Sequence, residues 1–191
     1  MPANEARRIT DSKVLAAMSH PLRRRLIDVL KVYGPSTATV MAGRTGQTVA
    51  NVSHHLRVLD TAGLIEEAPE LARTRRERWW RLVSSALKWS EVDFADDPAG
   101  AAVANAALSL NLEHHVSLVR AWWAAGDEAR AHWQDTSFST DKWVHVTPDE
   151  LAELSTQVID LLERWATREV PDDGQRRDPV FVFSYAVPSK P

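Results

Sequence analysis

The most regular pattern of hydrophobic and polar positions in the chain lies between residues 45 and 63. Apolar side chains recur there at helical spacing and form one narrow stripe: Val49, Val52, Leu56 and Leu59. Thr48 stands where an N-cap belongs, since its hydroxyl can accept a hydrogen bond from an unpaired amide of the first turn. Gly63 stands where a helix ends, because glycine adopts the left-handed conformation without steric cost. The pattern predicts an amphipathic helix.

The opposite face of this predicted helix carries short polar side chains. Side chains of this size and chemistry suit a helix in the major groove of DNA, where they meet the edges of bases. An ordinary amphipathic surface helix is the alternative, and the helix alone does not decide between the two. We predict that the following residues face the groove: Gln47, Thr48, Asn51, Ser53, His54 and Arg57.

The segments on either side favour the DNA-binding interpretation. Residues 37–44 form a short helical run, and a tight turn at Gly46 joins it to the central helix with helix-turn-helix spacing. Residues 64–67 and 77–83 have the character of two short strands. The loop between them holds three arginines, which are expected to contact phosphates or the minor groove: Arg73, Arg75 and Arg76. Two strands with an arginine-rich tip form a wing.

Three motifs carry a resemblance to a known family. Residues 19–23 (Ser-His-Pro-Leu-Arg), residues 52–56 (Val-Ser-His-His-Leu) and residues 59–65 resemble the ArsR-type winged helix-turn-helix transcriptional regulators. The resemblance covers residues 11–85 and implies a dimer that recognises a twofold-related operator. Many relatives sense metals through paired cysteines before the recognition helix. This chain has no cysteine, so that chemistry is absent.

Composition and charge indicate the cellular compartment and suggest that the two halves of the chain have different roles. The chain lacks disulfides, and it has neither an uninterrupted run of about 20 apolar residues nor an apolar N-terminal segment, so we expect a cytoplasmic protein without a membrane span. The net charge is −3, but residues 1–90 hold 15 Lys and Arg against 8 Asp and Glu, whereas residues 91–191 hold 8 against 18. A basic half beside an acidic half is expected when only the first binds phosphates.

The other elements of the N-terminal half follow from caps and periodicity. Asp11 is expected to cap a first helix, and His20-Pro21 to start a second that ends at Tyr33. Its buried face should be Leu22, Leu26, Val29, Leu30 and Tyr33, with the basic residues Arg23, Arg24, Arg25 and Lys31 mostly on the other side. Residues 1–10 should fray, and residues 84–94 should be helical.

The C-terminal half is predicted to be helical with two short strands. Residues 98–119 contain one formal charge and are apolar around most of the wheel, which favours a helix shared between two subunits. Thr147 and Glu150 form a capping box for a helix that continues to about Arg168. Strands are expected at residues 142–146 and 179–187. The fold class is α+β and mostly helical, with a DNA-binding domain over residues 1–90 and a dimerisation and effector region over residues 91–191.

The acidic half offers two kinds of regulatory input. Converging tryptophans suit a flat organic effector, although each one is also an ordinary core residue: Trp122, Trp123, Trp133, Trp143 and Trp165. The metal alternative uses a loose set of polar residues: Glu113, His114, His115, Asp127, Glu128 and His132. Zinc needs about four convergent ligands, and adjacent histidines on a helix point roughly 100° apart. We therefore predict no metal site, no cofactor and an organic small-molecule effector.

The sequence therefore predicts a homodimeric, sequence-specific regulator of transcription that binds double-stranded DNA and acts as a repressor. Enzyme classes are disfavoured, since the chain has no glycine-rich phosphate loop and no nucleophile-elbow motif. Two alternatives remain open. One is a metal-responsive repressor with a histidine and carboxylate site, and the other is a protein-interaction module that the DNA-binding domain tethers.

Overall fold

The chain folds into seven α-helices and five short strands over its described part, and the α+β, mostly helical class is confirmed. The structure is a computed structural model that describes residues 7–84, 86–133 and 136–190. It divides into two compact units, residues 1–117 and 118–191. The functional boundary after Ser90 stays a prediction. Each unit is described by itself.

Five helices begin in the first unit. They are α1 (Ser12–Met18), α2 (Pro21–Tyr33), α3 (Ala38–Thr45), α4 (Val49–Thr61) and α5 (Pro98–Ala124). The predicted helix starts at Asp11, His20 and Thr48 are confirmed, because each of these side chains accepts a hydrogen bond from a first-turn amide. Thr37 caps α3 in the same way. Gly46 ends α3 in the left-handed conformation, with φ of 67°. The helix-turn-helix predicted from the sequence therefore forms.

The wing is a three-stranded antiparallel sheet. Its strands are β2 (Ser36–Thr37), β3 (Ile65–Glu67) and β4 (Trp79–Leu82), and β4 lies in the centre. Ile65 pairs with Leu82 and Glu67 with Trp80. The two predicted wing strands are confirmed, and β2 is a third strand that the sequence pattern did not predict. β2 is too short to show any periodicity of its own, and it is held by its pairing with Trp79 and Trp80.

Two predictions at the edges of this domain were wrong. Residues 7 and 8 do not fray, because β1 (Arg7–Arg8) pairs in parallel with β5 (Leu87–Lys88), and Ile9 beside it is buried. Residues 84–94 are not one helix, since the described part of this segment contains β5 and only a short 3₁₀-helix, Glu91–Phe94. The backbone hydrogen bonds of β1 and β5 are long-range, so no local pattern reveals them.

The hydrophobic core lies where α2, α3, α4 and the wing sheet meet. Its fully buried side chains include Leu26, Met41, Leu56 and Leu59. Trp80 is 4% exposed and packs the wing onto this core, whereas Tyr33 was wrongly predicted to be buried in it. Tyr33 is half exposed, and the guanidinium of Arg44 lies 3.5 Å from its ring centroid.

A polar seam joins α2 to α5 within the first unit. Arg24 is buried, contrary to the predicted basic outer face of α2, and its guanidinium donates to Asn111 Oδ1 at 2.9 Å and to the carbonyl of Ala107 at 3.3 Å. One turn further, Asp28 Oδ2 lies 2.7 Å from His114 Nε2. The sequence missed this seam because an arginine beside apolar neighbours is the usual pattern of a solvated helix edge.

The second unit holds the end of α5 together with α6 (Asp127–Ala131) and α7 (Pro148–Thr167). The predicted capping box of α7 is confirmed, because Thr147 and Glu150 bond each other's backbone amides. The strands predicted at residues 142–146 and 179–187 were wrong. Both segments lack a pairing partner among the described residues, and an apolar run without a neighbouring strand cannot make ladder hydrogen bonds.

Helix α7 leaves large apolar side chains exposed. Leu161 and Trp165 are 45% and 61% exposed. In the part of the chain that the structure describes, no helix is both long and apolar enough to cross a membrane.

Candidate nucleic-acid interface

Helix α4 has one buried and one exposed face, and it is bounded by the Thr48 cap and by Gly63. Val52, Leu56 and Leu59 are fully buried, whereas Val49 at the first turn is 45% exposed. Of the six residues predicted to face DNA, four are exposed and two are half-buried. The exposed ones are Gln47, Thr48, His54 and Arg57, and the half-buried ones are Asn51 and Ser53. The buried stripe therefore anchors the helix and leaves a polar face outside.

Two amides at the start of α4 are already oriented by each other. Asn51 Nδ2 donates to Gln47 Oε1 at 2.9 Å, one turn away, while the amide nitrogen of Asn51 donates to the capping hydroxyl of Thr48. This pair holds both side chains in one geometry before any ligand arrives. Asparagine and glutamine amides match the donor and acceptor pattern of adenine in the major groove. The start of α4 thus carries two amide side chains that are hydrogen-bonded to each other.

The tip of the wing presents exposed cations. Arg73, Arg75 and Arg76 lie in the loop between β3 and β4, and the loop is closed by the backbone amide of Arg73, which donates to Glu77 Oε2 at 2.8 Å. No ion pair within the described residues involves these three guanidinium groups. By contrast, Arg81 is paired with Glu66 at 2.7 Å, and that hydrogen bond raises the pKa of Arg81. The wing therefore separates structural arginines near its base from exposed ones at its tip.

Three histidine rings contact one another in series: His20 before α2, and His55 and His54 on α4. His20 Nδ1 accepts from the amide of Leu22 and so caps α2, and the rings of His20 and His55 lie 4.4 Å apart between centroids. His54 meets His55 edge-on at 5.2 Å. Burial lowers the pKa of His55, as do the neighbouring charges of His20, Arg23 and His54, and burial with Arg23 lowers the pKa of His20. The folded domain therefore favours the neutral rings of His20 and His55.

The lowered pKa values predict acid lability of this domain. Above pH 6.5 these histidines are neutral in both states and do not affect stability, whereas below it the unfolded chain binds protons that the fold excludes. We expect proton uptake by His55 in the unfolded chain to lower the free energy of unfolding by at most about 1.4 kcal/mol at pH 5.5, because this ring is buried in the fold.

Denaturant titrations between pH 7.5 and 5.5 measure this loss. His55→Gln should fold at neutral pH and lose less stability on acidification than the unsubstituted protein does. His132→Gln, at an exposed position, should leave the pH dependence unchanged. Equal pH dependence in the His55 variant and the unsubstituted protein would show that the buried ring does not control it.

The predicted effector and metal residues show no assembled site. Trp123, Trp143 and Trp165 are each more than 60% exposed, and Trp122 and Trp133 are half-buried. Within the described ranges, no three His, Asp or Glu side chains come together as metal ligands do. His114, one of the histidines considered for a metal, pairs instead with Asp28. The tryptophan site stays a prediction.

Sequence reasoning missed two basic residues beside α4. Arg7 lies on β1 and donates to the carbonyl of Gly63, at the end of α4, and Lys13 lies exposed in the first turn of α1. Neither belongs to a motif, and only the pairing of β1 with β5 brings Arg7 to this place.

The arrangement of α2, α3, α4 and the wing sheet defines a winged helix-turn-helix domain. Residues 18–68 match the family described as "Helix-turn-helix domain". This part of the chain is therefore a helix-turn-helix domain, and the recognition made from its motifs is confirmed for the N-terminal half at that level. A comparison with curated proteins found no match.

Solved structures of similar proteins were also found. One is the homodimeric winged helix-turn-helix DNA-binding domain of a possible ArsR-family transcriptional regulator from Mycobacterium bovis, with 22% identity, 56% of this chain and 84% of that chain covered, and a TM-score of 0.34. Another is a possible transcriptional regulator for arsenical resistance, with 25% identity, 68% and 98% coverage, and a TM-score of 0.32. A mutant of ZitR from Lactococcus lactis is 16% identical, with 82% and 83% coverage and a TM-score of 0.28. Because these TM-scores are low, the proposed function rests on the helix-turn-helix match and on the geometry of α4 and the wing.

Proposed function

We propose that this protein is a sequence-specific, double-stranded-DNA-binding transcriptional regulator of the ArsR type that acts as a homodimeric repressor. The observation that carries the proposal is α4, which is anchored by buried leucines, capped by Thr48 and polar on its exposed face. The oriented Gln47–Asn51 amide pair would contact a base edge, and the wing arginines would contact the backbone. A repressor needs no further chemistry, since a dimer on a promoter blocks access to it.

Helix α5 supports the dimer. Gly100, Ala104 and Ala107 are buried, so one side of the helix packs within the first unit. Leu108, Leu110 and Leu112 are 36%, 36% and 42% exposed in the single chain. A second copy of α5 would cover Leu108 and Leu112, which lie one turn apart on the same side of the helix. Such a twofold interface places two recognition helices on related half-sites.

The regulatory input we propose is an organic molecule held near the tryptophans of the C-terminal half. Aromatic surface suits a flat apolar ligand, and the acidic charge around it disfavours an anionic one. The effect required is modest. A ligand that binds the DNA-free state 100-fold more tightly than the DNA-bound state shifts the equilibrium by about 2.7 kcal/mol, enough to vacate a marginal operator.

A titration that follows tryptophan fluorescence and DNA release together tests this input. We expect members of a panel of neutral or cationic aromatic compounds to change both signals, and Trp165→Ala to reduce the response. Zinc that releases DNA stoichiometrically, with the response abolished in His114→Ala, would instead establish the metal-responsive alternative. A response to neither class would indicate a constitutive binder.

One observation favours the protein-interaction alternative. Val180, Phe181 and Val182 are 65%, 46% and 46% exposed in a segment without a pairing strand among the described residues. Exposed apolar segments of this kind mark interaction sites. A pull-down from lysate at several concentrations distinguishes the two functions, because a simple regulator returns itself and DNA, whereas a tethered module returns another protein in fixed stoichiometry.

The direct test of DNA binding is an electrophoretic mobility shift with a pool of random duplexes at several salt concentrations. Phosphate contacts release counterions, so log affinity should fall linearly with log salt concentration. The absence of any salt-dependent shift would remove the proposed function.

A further inference from the structure

A groove runs between α1 and α4 and ends at the turn after α4. It has a volume of about 650 Å³, and two residues of the predicted DNA-facing surface, His54 and Arg57, belong to its wall. Its other charged residues come from outside the helix-turn-helix motif: Arg7, Asp11 and Lys13. Small and branched apolar residues form the remaining wall, among them Val14 and Val58. The groove is therefore continuous with the exposed face of α4.

The wall of the groove is positively charged. Arg7, Lys13 and Arg57 contribute three cations against the single carboxylate of Asp11. That carboxylate is occupied at the start of α1, where Asp11 Oδ1 accepts from the amide of Lys13 at 2.8 Å. Lys13 and Arg57 are exposed and form no ion pair in the described part of the chain. Their charges are thus available to an anion that enters from solvent.

Arg7 is held in place rather than free to swing. Strand β1 fixes its backbone against β5, and its guanidinium donates to the carbonyl of Gly63. Gly63 has a φ of 65°, and a Cβ added there would lie 3.5 Å from the Arg7 guanidinium. The turn after α4 therefore packs closely against this cation. One side of the groove is preorganised, while Lys13 supplies an adjustable charge.

We propose that this groove binds the phosphodiester backbone of the duplex that α4 contacts, with Lys13 as the principal additional phosphate contact. The inference rests on the proposed function. DNA is the occupant because the groove shares His54 and Arg57 with the DNA-facing surface, and because its charge is complementary to a polyanion. Backbone contacts of this kind fix the register of a protein on the duplex and carry no sequence preference.

Two substitutions with opposite expected effects test the inference in the full-length protein. Lys13→Ala should weaken binding severalfold for all sequences and reduce the slope of log affinity against log salt by about 0.9 for each phosphate that is no longer neutralised. Asp11→Asn should strengthen binding, because it removes the only negative charge of the groove while asparagine still caps α1. Destabilisation of the domain cannot produce that gain.

Matched controls come from an adjacent pair of exposed charges in the second unit, Lys142 and Asp141. Lys142→Ala and Asp141→Asn change the net charge equally and should leave both affinity and slope unchanged. If the unsubstituted protein shows no salt-dependent binding, the proposed function fails. If it binds, but the two groove variants behave like their controls, the groove inference alone is overturned.

Discussion

Replacing Arg75 and Arg76 together with alanine is expected to weaken binding to every duplex alike, on the order of tenfold or more at moderate salt. Both side chains are exposed at the wing tip, where neither forms an ion pair within the described residues. Removal of phosphate contacts lowers affinity without changing the preferred sequence. The salt slope should fall by about 0.9 for each phosphate that the variant leaves without a cation. Fluorescence anisotropy with labelled duplexes at several salt concentrations measures both quantities.

The matched control is the double substitution Arg176→Ala with Arg177→Ala. These adjacent arginines are already paired, with Asp178 and Asp173 respectively, so they offer less free charge to a duplex. This control should retain the original slope. An unchanged slope in the wing variant, with binding otherwise intact, would show that the wing tip does not contact phosphates.

The substitution Leu112→Glu is expected to dissociate the dimer. Leu112 is 42% exposed on α5 in the single chain, and its burial against a second copy would place a carboxylate in an apolar contact twice per dimer. We expect dimerisation to weaken at least about a hundredfold, which corresponds to about 2.7 kcal/mol. Sedimentation velocity at micromolar protein concentration should show a dimer for the unsubstituted chain and a monomer for the variant.

Leu71→Glu is the matched control for this experiment. Leu71 is 40% exposed, close to the value for Leu112, but lies in the 3₁₀-helix between β3 and β4 rather than on α5. Its substitution should leave the dimer intact. A monomer for the unsubstituted protein would contradict the proposed interface, and so would a dimer for Leu112→Glu.

The local chemistry of the DNA-binding domain was predictable because its signals are short-range. A cap hydroxyl, a helical apolar stripe and a glycine at the end of a helix each act within a few residues, so Thr48, Leu56 and Gly63 determined α4 in advance. The charge difference between the halves was likewise visible in composition. The exposed polar face of α4 could also be predicted, because it lies on the side of the helix opposite the buried apolar stripe.

Features that depend on distant partners were not predictable in this way. The strand at Arg7–Arg8 exists because β5 lies beside it, and Arg24 is buried because Asn111 and Ala107 satisfy its donors. At residues 179–187 a strand was predicted that does not form. The segment has strong strand propensity, but no strand pairs with it among the described residues.

The proposed function requires that α4 recognises a DNA sequence in the major groove. Selection of bound sequences from a random duplex pool tests it most directly. We expect two enriched half-sites in twofold-related orientation, with centres about one helical turn or a multiple of it apart. Repeated with Asn51→Ala, the selection should lose preference at one base position of each half-site and keep the others. A pool that remains random after binding and amplification would contradict sequence recognition by α4.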